Sequence, residues 1–323
     1  MDRPRSAVRS FLINATLTTV ALGLLAWTVW GNRAQIKGVL AQRPDPWPLA
    51  IGFAIYMAAL VLTFFRWFVL VRALGLPFRF ADAIRLGFIG NVFNLVIPGA
   101  VGGDVIKAAF LCREQERKTQ AVASMVIDRI LGLIGLFVLA GIAGLGIWSE
   151  SGAEVRRLIL AAWLAVGSGI VGLAILFTPA LYRPLLKLVA GRVRVETLLM
   201  ELVVMASAYR DRIGVIIGML TLASGIYSLY VLAFYCVSLS LFPTEAPTLA
   251  QHFLVVPLTL FTTAAPLPFG ALGLTENVSK VLFDLVHFPG GAVAMMGYRV
   301  LMYAGGLVSA GVYFANARQV RDL

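Results

Sequence analysis

Apolar runs of about 20 residues alternate with short basic gaps along this chain. Six runs predict helices long enough to cross a bilayer, at about 11–31, 49–71, 120–148, 157–178, 213–241 and 292–314. Two further apolar stretches, 83–112 and 249–287, are broken midway by polar phrases. The first phrase is "PGAVGGD" at 98–104 and the second is "PFGALGLTE" at 268–276. The arm Ala83 to Ile97 has 15 residues, about 22 Å as helix, which is too short to cross a core of about 30 Å. Each broken stretch therefore reads as a helix–bend–helix hairpin that enters the membrane and returns. The alternative is a single crossing by a broken helix. The expected fold is an all-α polytopic membrane protein with six spanning helices plus two re-entrant helical hairpins in two inverted repeats.

Charge placement favours returning hairpins. With them, the cytoplasmic side holds Arg3, Arg5, Arg9, Arg72, Arg79, Arg85, Arg113, Arg117, Lys118, the basic residues of 183–212, Arg318 and Arg321. The outside then holds only Arg33, Lys37, Arg43, Arg156 and Arg157. This is the asymmetry of the positive-inside rule, and it puts both termini in the cytoplasm of a chain integral to the cytoplasmic (inner) membrane. The segment 179–212 mixes apolar runs with Arg192, Arg194, Glu196, Arg210 and Asp211. It reads either as an amphipathic helix at the cytoplasmic interface or, in its polar middle, as a solvated loop.

Composition agrees with the pattern. Hydrophobic residues make up 60% of the chain and charged ones 13%, against about 45–50% and about 25% in soluble domains. The net charge of +11 sits mainly in the gaps, so it implies membrane topology and anionic lipid headgroups rather than nucleic acid. Cys112 and Cys236 have no metal-ligand spacing, and His252 and His287 form no ligand pair. The run from Phe11 to Trp30 after Arg3, Arg5 and Arg9 is long for a signal peptide and reads as an uncleaved first helix.

The two polar phrases belong to an internal repeat. Pro98 and Pro268 are 170 residues apart, and each is followed 31 residues later by an arginine, Arg129 and Arg299. At the same offset Met125 matches Met295, Leu131 matches Leu301 and Gly135 matches Gly305. Within a single membrane domain, 1–323, this gives a first repeat unit at 49–148, a cytoplasmic linker at 179–212 and a second unit at 213–314. If the hairpins return, helix 49–71 runs inward and helix 213–241 outward, so the units are inverted, as in transport folds that alternate access.

The residues with chemistry cluster at these breaks. Pro98, Gly99, Gly102 and Gly103, and likewise Pro268, Gly270 and Gly273, break a helix at depth and expose backbone amides. The positive ends of the following arms suit phosphate or carboxylate. Asp104 and Lys107 share a helix face, and Glu276, Lys280 and Asp284 fall at i, i+4 and i+8. Arg129 and Arg299 lie well inside spanning helices, natural partners for a hairpin carboxylate or a lipid phosphate. Asp128 cannot face the same way as Arg129 and needs another partner. Asn91 and Asn94 share a face, placed to bond across the bend or to a headgroup. Charges at this depth cost at least about 2.5–3.5 kcal/mol each, so they pair within the protein or line a hydrated groove. Structural ion pairs are the competing role. Phe64, Phe65, Trp67 and Phe68 read as an aromatic belt, with Arg66 snorkelling to the same interface. The residues contain no nucleophile–base pair, nucleotide loop or metal constellation, so no catalytic residue, metal or cofactor is expected.

The strings "FNLVIPGAVGGDVIKAAFL", "AVASMVIDRILGLIGL", "PLPFGALGLTENVSKVLF" and "AVAMMGYRVLMYAGGL" resemble the flippase-like membrane domain of lysylphosphatidylglycerol synthases over nearly the whole chain. The resemblance implies a protein that moves lipid between leaflets. It points to Pro98, Gly102, Gly103, Asp104, Asp128, Arg129, Pro268, Gly270, Gly273, Glu276 and Arg299. Lys107 stands where many members have arginine, and Thr275 stands where others often carry one. Bifunctional members add a cytoplasmic aminoacyl-transferring domain. This chain stops at Leu323, so it is expected not to make lysylphosphatidylglycerol by itself. The expected function is a lipid translocase that is not an enzyme. Its expected partner is a membrane lipid with a phosphate-bearing headgroup, with a lipid-synthesising enzyme as a candidate second partner. Two alternatives stand beside it: a membrane glycosyltransferase acting on a polyprenyl-linked sugar, and a non-transporting subunit of a lipid-modifying complex.

Overall fold

A computed structural model gives the backbone of residues 3–97, 102–114, 118–189, 193–265 and 267–315, with side chains described from 16 onward in those stretches except at 96, 114, 189, 193–194 and 198. The described residues form helices and connecting turns. Five helices are long and apolar enough to cross a bilayer: α3 (Pro46–Ala73), α6 (Lys118–Gly146), α7 (Ala153–Phe177), α10 (Ile213–Leu241, with the turn before it) and α14 (Gly291–Ala315). The expected first span lies within α1 (Arg3–Gly31), whose described apolar stretch, Thr16–Gly31, is shorter than those five. Large apolar side chains such as Leu164, Val300 and Leu307 stand exposed on these helices, as lipid-facing positions require. The chain is a polytopic helical membrane protein.

Local chemistry sets several helix starts. Asp45 caps α3 by accepting from Trp47 N–H at 3.0 Å, with Pro46 at the first helical position. A reciprocal Thr248–Gln251 box opens α11 (Leu249–Phe261). A short helix, α2 (Arg33–Ala41), occupies the gap between the first two apolar runs.

Both broken stretches appear as paired arms. α4 (Phe80–Val96) packs on α5 (Gly102–Glu114), and α11 packs on α13 (Leu274–Asp284), with the single turn α12 (Pro268–Ala271) between them. α4 also packs against α14, and α11 against α6, so each first arm meets the last helix of the other half. α3 and α10 pack together most extensively and run antiparallel. Ser240 Oγ donates to Asp45 O at 2.6 Å, the Tyr56 and Tyr230 rings lie 5.6 Å apart, and Tyr209 Oη donates to Leu70 O at 3.0 Å. Burial holds the Tyr209 phenol well above its usual range, so it serves as a neutral donor.

The described residues of the linker are largely helical. They form α8 (Pro179–Val189) and α9 (Val193–Ser207), and α9 docks on α6 and α7 with Val203 and Ala206 buried; the middle of the linker, 190–192, lies outside the described residues.

The aromatic belt expected at 64–68 is largely internal. Trp67 is buried and donates to Ser124 Oγ at 3.3 Å, and Phe64 packs edge-on to Phe88. Phe65 alone of the four is exposed. Successive helical residues point about 100° apart, and α3 touches α4, α6, α10 and α14, so most directions from it lead into protein. Arg66 likewise turns inward instead of snorkelling.

Candidate functional site

The first hairpin builds a charge cluster. Asp104 lies in the first turn of α5. Its Oδ1 accepts from Lys107 Nζ at 2.7 Å, one turn on, and its Oδ2 accepts from Arg129 Nε on α6. Asp104 and Lys107 are nearly covered, but the Arg129 side chain is 45% exposed. The Lys107 ammonium also sits 5.1 Å from the centroid of the Trp67 ring, a cation–π contact. Asn94 does bond across the break, accepting from Gly103 N–H at 2.9 Å. Asn91 donates to Ser309 Oγ on α14 at 3.0 Å.

The glycines of the two breaks act differently. Gly102 and Gly103 begin α5 as helix rather than making the bend. A Cβ on Gly103 would lie 1.9 Å from Gly90 O, so its role is close approach of α4 and α5. Pro98 and Gly99 lie outside the described residues. In the second hairpin the bend itself is left-handed: Phe269, Gly270, Ala271 and Gly273 all have positive φ. Pro268 opens this turn.

Arg299 closes the second bend. Its guanidinium pairs with Glu276 through Nε and donates to Phe269 O at 2.6 Å and to Gly270 O at 3.3 Å. Glu276 also accepts from Gly273 N–H at 2.7 Å. Both side chains are buried, at 5% and 0% exposure. The carboxylate–arginine pairing anticipated at both breaks is therefore present twice, one pair open and one sealed. Lys280 and Asp284, expected on the face of Glu276, are exposed. Each step of four residues drifts by about 40°, and the buried face of α13 instead runs through Thr275, Glu276, Ser279 and Phe283.

Asp128 finds its separate partner in Arg66. Arg66 Nε meets Asp128 Oδ1 at 2.7 Å and Nη2 meets Oδ2 at 3.1 Å, a bidentate fork of the kind arginine favours. Both residues are buried.

A cavity of about 250 Å³ lies between the two hairpins. Asn91, Asn94, Asp104, Lys107, Asp128, Arg129 and Arg66 line one part of it; Leu260, Thr263, Tyr298 and Met302 bring α11, its following turn and α14 to the wall. Glu276, Lys280 and Arg299 do not line it. Three cations and two carboxylates give its described lining one net positive charge. Arg129 lies 11 residues into α6, about 17 Å from its start, which is well within a bilayer core.

Four tyrosines in the wall, Tyr56, Tyr227, Tyr230 and Tyr298, were not indicated by the charge and glycine pattern. Tyr56 contacts Tyr230 and Tyr298, and Tyr227 contacts Tyr230. The repeat carried a signal for one of them, because Tyr298 stands 170 residues after Asp128, beside Arg299.

Residues 12–310 match the family described as the lysylphosphatidylglycerol synthase TM region. A protein of Haloferax volcanii named glycosyltransferase AglD is 27% identical over 166 residues, 51% of this chain and 26% of that protein. The UPF0104 membrane protein PH1989 of Pyrococcus horikoshii is 26% identical over 134 residues, 41% of this chain and 39% of that protein. The matches thus span well under half the length of either curated relative. No solved structure matches the chain.

Proposed function

This chain belongs to the lysylphosphatidylglycerol synthase transmembrane-region family, and on that premise we propose that it is a lipid translocase. A phosphate-bearing headgroup enters the cavity between the hairpins while its acyl chains stay in lipid. The observation that carries this reading is Arg129, whose side chain is 45% exposed, held at membrane depth on a cavity wall whose described residues carry net positive charge. Arginine and lysine together at such a wall suit a phosphate oxyanion. Asp104, Lys107, Asp128, Asn91 and Asn94 shape that site, and Glu276 and Arg299 hold the second hairpin's bend.

In this reading α3–α6 and α10–α14 are two units of opposite orientation. The antiparallel packing of α3 on α10 and the reciprocal packing of α4 on α14 and α11 on α6 support it. The hairpins are re-entrant from opposite faces of the cytoplasmic membrane, and both termini are cytoplasmic. The protein moves lipid without chemical change to it.

The relative named as a glycosyltransferase favours a second reading, in which the membrane domain serves glycosyl transfer. Asp104 is then the candidate catalytic carboxylate on the cavity wall. Held by two cations, it is a poor proton acceptor, so translocation fits the site better.

Purified protein in vesicles, with leaflet exchange of a fluorescent phosphatidylglycerol followed by quenching, tests the reading. Wild-type protein is expected to accelerate exchange, and Arg129→Ala to lose at least about tenfold of that acceleration, as loss of a charge-assisted bond implies. Exchange no faster than in protein-free vesicles sinks it.

A further inference from the structure

Two cations share one carboxylate in the first hairpin, and we propose that Lys107 is the residue that selects headgroup charge. The cavity takes a net-anionic phosphodiester headgroup and rejects one that is net cationic, such as an aminoacylated phospholipid. This rests on reading the cavity as a headgroup site, but it concerns which headgroup binds, not whether the lipid then crosses.

The charge balance carries the proposal. Asp128 is used by Arg66, both oxygens against the guanidinium fork. Asp104 gives one oxygen to Lys107 and the other to Arg129. No carboxylate oxygen of the described lining is left without a cation, so an incoming ammonium meets no unclaimed partner. It meets instead an excess positive charge in a site where low dielectric magnifies repulsion. A phosphate monoanion balances that excess beside Arg129, whose side chain is 45% exposed.

The excess belongs to Lys107. Arg129 with Asp104 alone is neutral, as Arg299 with Glu276 is in the second hairpin. There, Lys280 on α13 is exposed and away from the cavity. Lys107 is also fixed in place. Its ammonium rests near the Trp67 ring and its stem packs on Gly90, where an added Cβ would come within 3.1 Å of Cγ and Cδ. Its side chain is only 14% exposed, so the charge does not swing into water when a ligand arrives.

The test separates binding from transport. Retention of phosphatidylglycerol, phosphatidylcholine and lysylphosphatidylglycerol by purified protein is measured by native mass spectrometry, and leaflet exchange of fluorescent forms of the same three in vesicles. Wild-type protein should retain the anionic lipid at least about tenfold over the cationic one, the scale of one uncompensated charge. Lys107→Gln should flatten the preference, Lys107→Glu should reverse it, and Lys107→Arg should keep its direction. If wild-type protein holds all three lipids alike, or Lys107→Gln and Lys107→Glu both leave the ratio unchanged, the charge filter is wrong. Selective retention with no exchange overturns translocation and leaves the filter standing. Exchange accompanied by equal retention of all three lipids does the reverse.

Discussion

Charged side chains at membrane depth are affordable only in pairs, and the pairs here differ in what they leave open. Arg66 and Asp128 are mutually bidentate and buried. Removing one partner strands the other, a loss of about 3–5 kcal/mol for a buried pair, whereas replacing both by apolar side chains is often neutral. Arg66→Met should therefore lower the thermal midpoint in detergent sharply. The double variant Arg66→Met with Asp128→Leu should recover most of it, and a double-mutant cycle reads the coupling. Additive losses would show that the two groups do not depend on one another. The pair was only half legible in the sequence. Helical geometry showed that Asp128 needs a partner other than Arg129, but the partner lies 62 residues upstream. Nothing in the string of aromatics around Arg66 told which way that stretch of α3 faces.

The two hairpins were legible as elements because a broken apolar stretch is too short to span, and because proline, glycine, carboxylate and arginine recur at one offset. Their difference was not legible. In the first hairpin Gly103 lets the arms touch and Asp104 has two cations. In the second a left-handed turn offers its carbonyls to Arg299. The dihedrals of the second bend and the helix that lies behind each arm are not fixed by residue identity. The difference predicts unequal consequences for equivalent arginines. Arg299→Ala leaves Glu276 buried without its cation, along with the carbonyls of the bend, and should cost about 3–5 kcal/mol. Arg129→Ala leaves Asp104 still paired with Lys107, so it should cost clearly less than Arg299→Ala. Thermal unfolding of both variants beside wild type decides this. Equal losses would mean that the open pair holds the fold as firmly as the sealed one.

At the scale of the molecule, the reading of an alternating-access machine depends on each hairpin returning to the side it entered from. Apolar length alone does not decide that, since a broken stretch of about 30 residues can also cross once. The charge asymmetry favoured return, and the structure adds that α3 and α10 lie antiparallel, as inverted units require. Four exposed positions bracket the hairpins: Arg79 and Arg113 around the first, Glu245 and Asp284 around the second. With Cys112 and Cys236 replaced by serine, a single cysteine at each position can be labelled with a membrane-impermeant maleimide in intact cells. Glu245→Cys and Asp284→Cys should both react from outside, while Arg79→Cys and Arg113→Cys should react only after permeabilisation. If Asp284→Cys and Glu245→Cys label from opposite sides, the second stretch crosses the membrane. α14 then runs parallel to α6 although α3 and α10 are antiparallel, so the units are not inverted copies and one cavity between opposed hairpins cannot serve both faces in turn. If both pairs match, the two hairpins enter from opposite leaflets, with the Asp104–Arg129 pair on the cavity wall and the buried Glu276–Arg299 pair behind it holding the second bend, the arrangement that exchanging the two states would convert into transport.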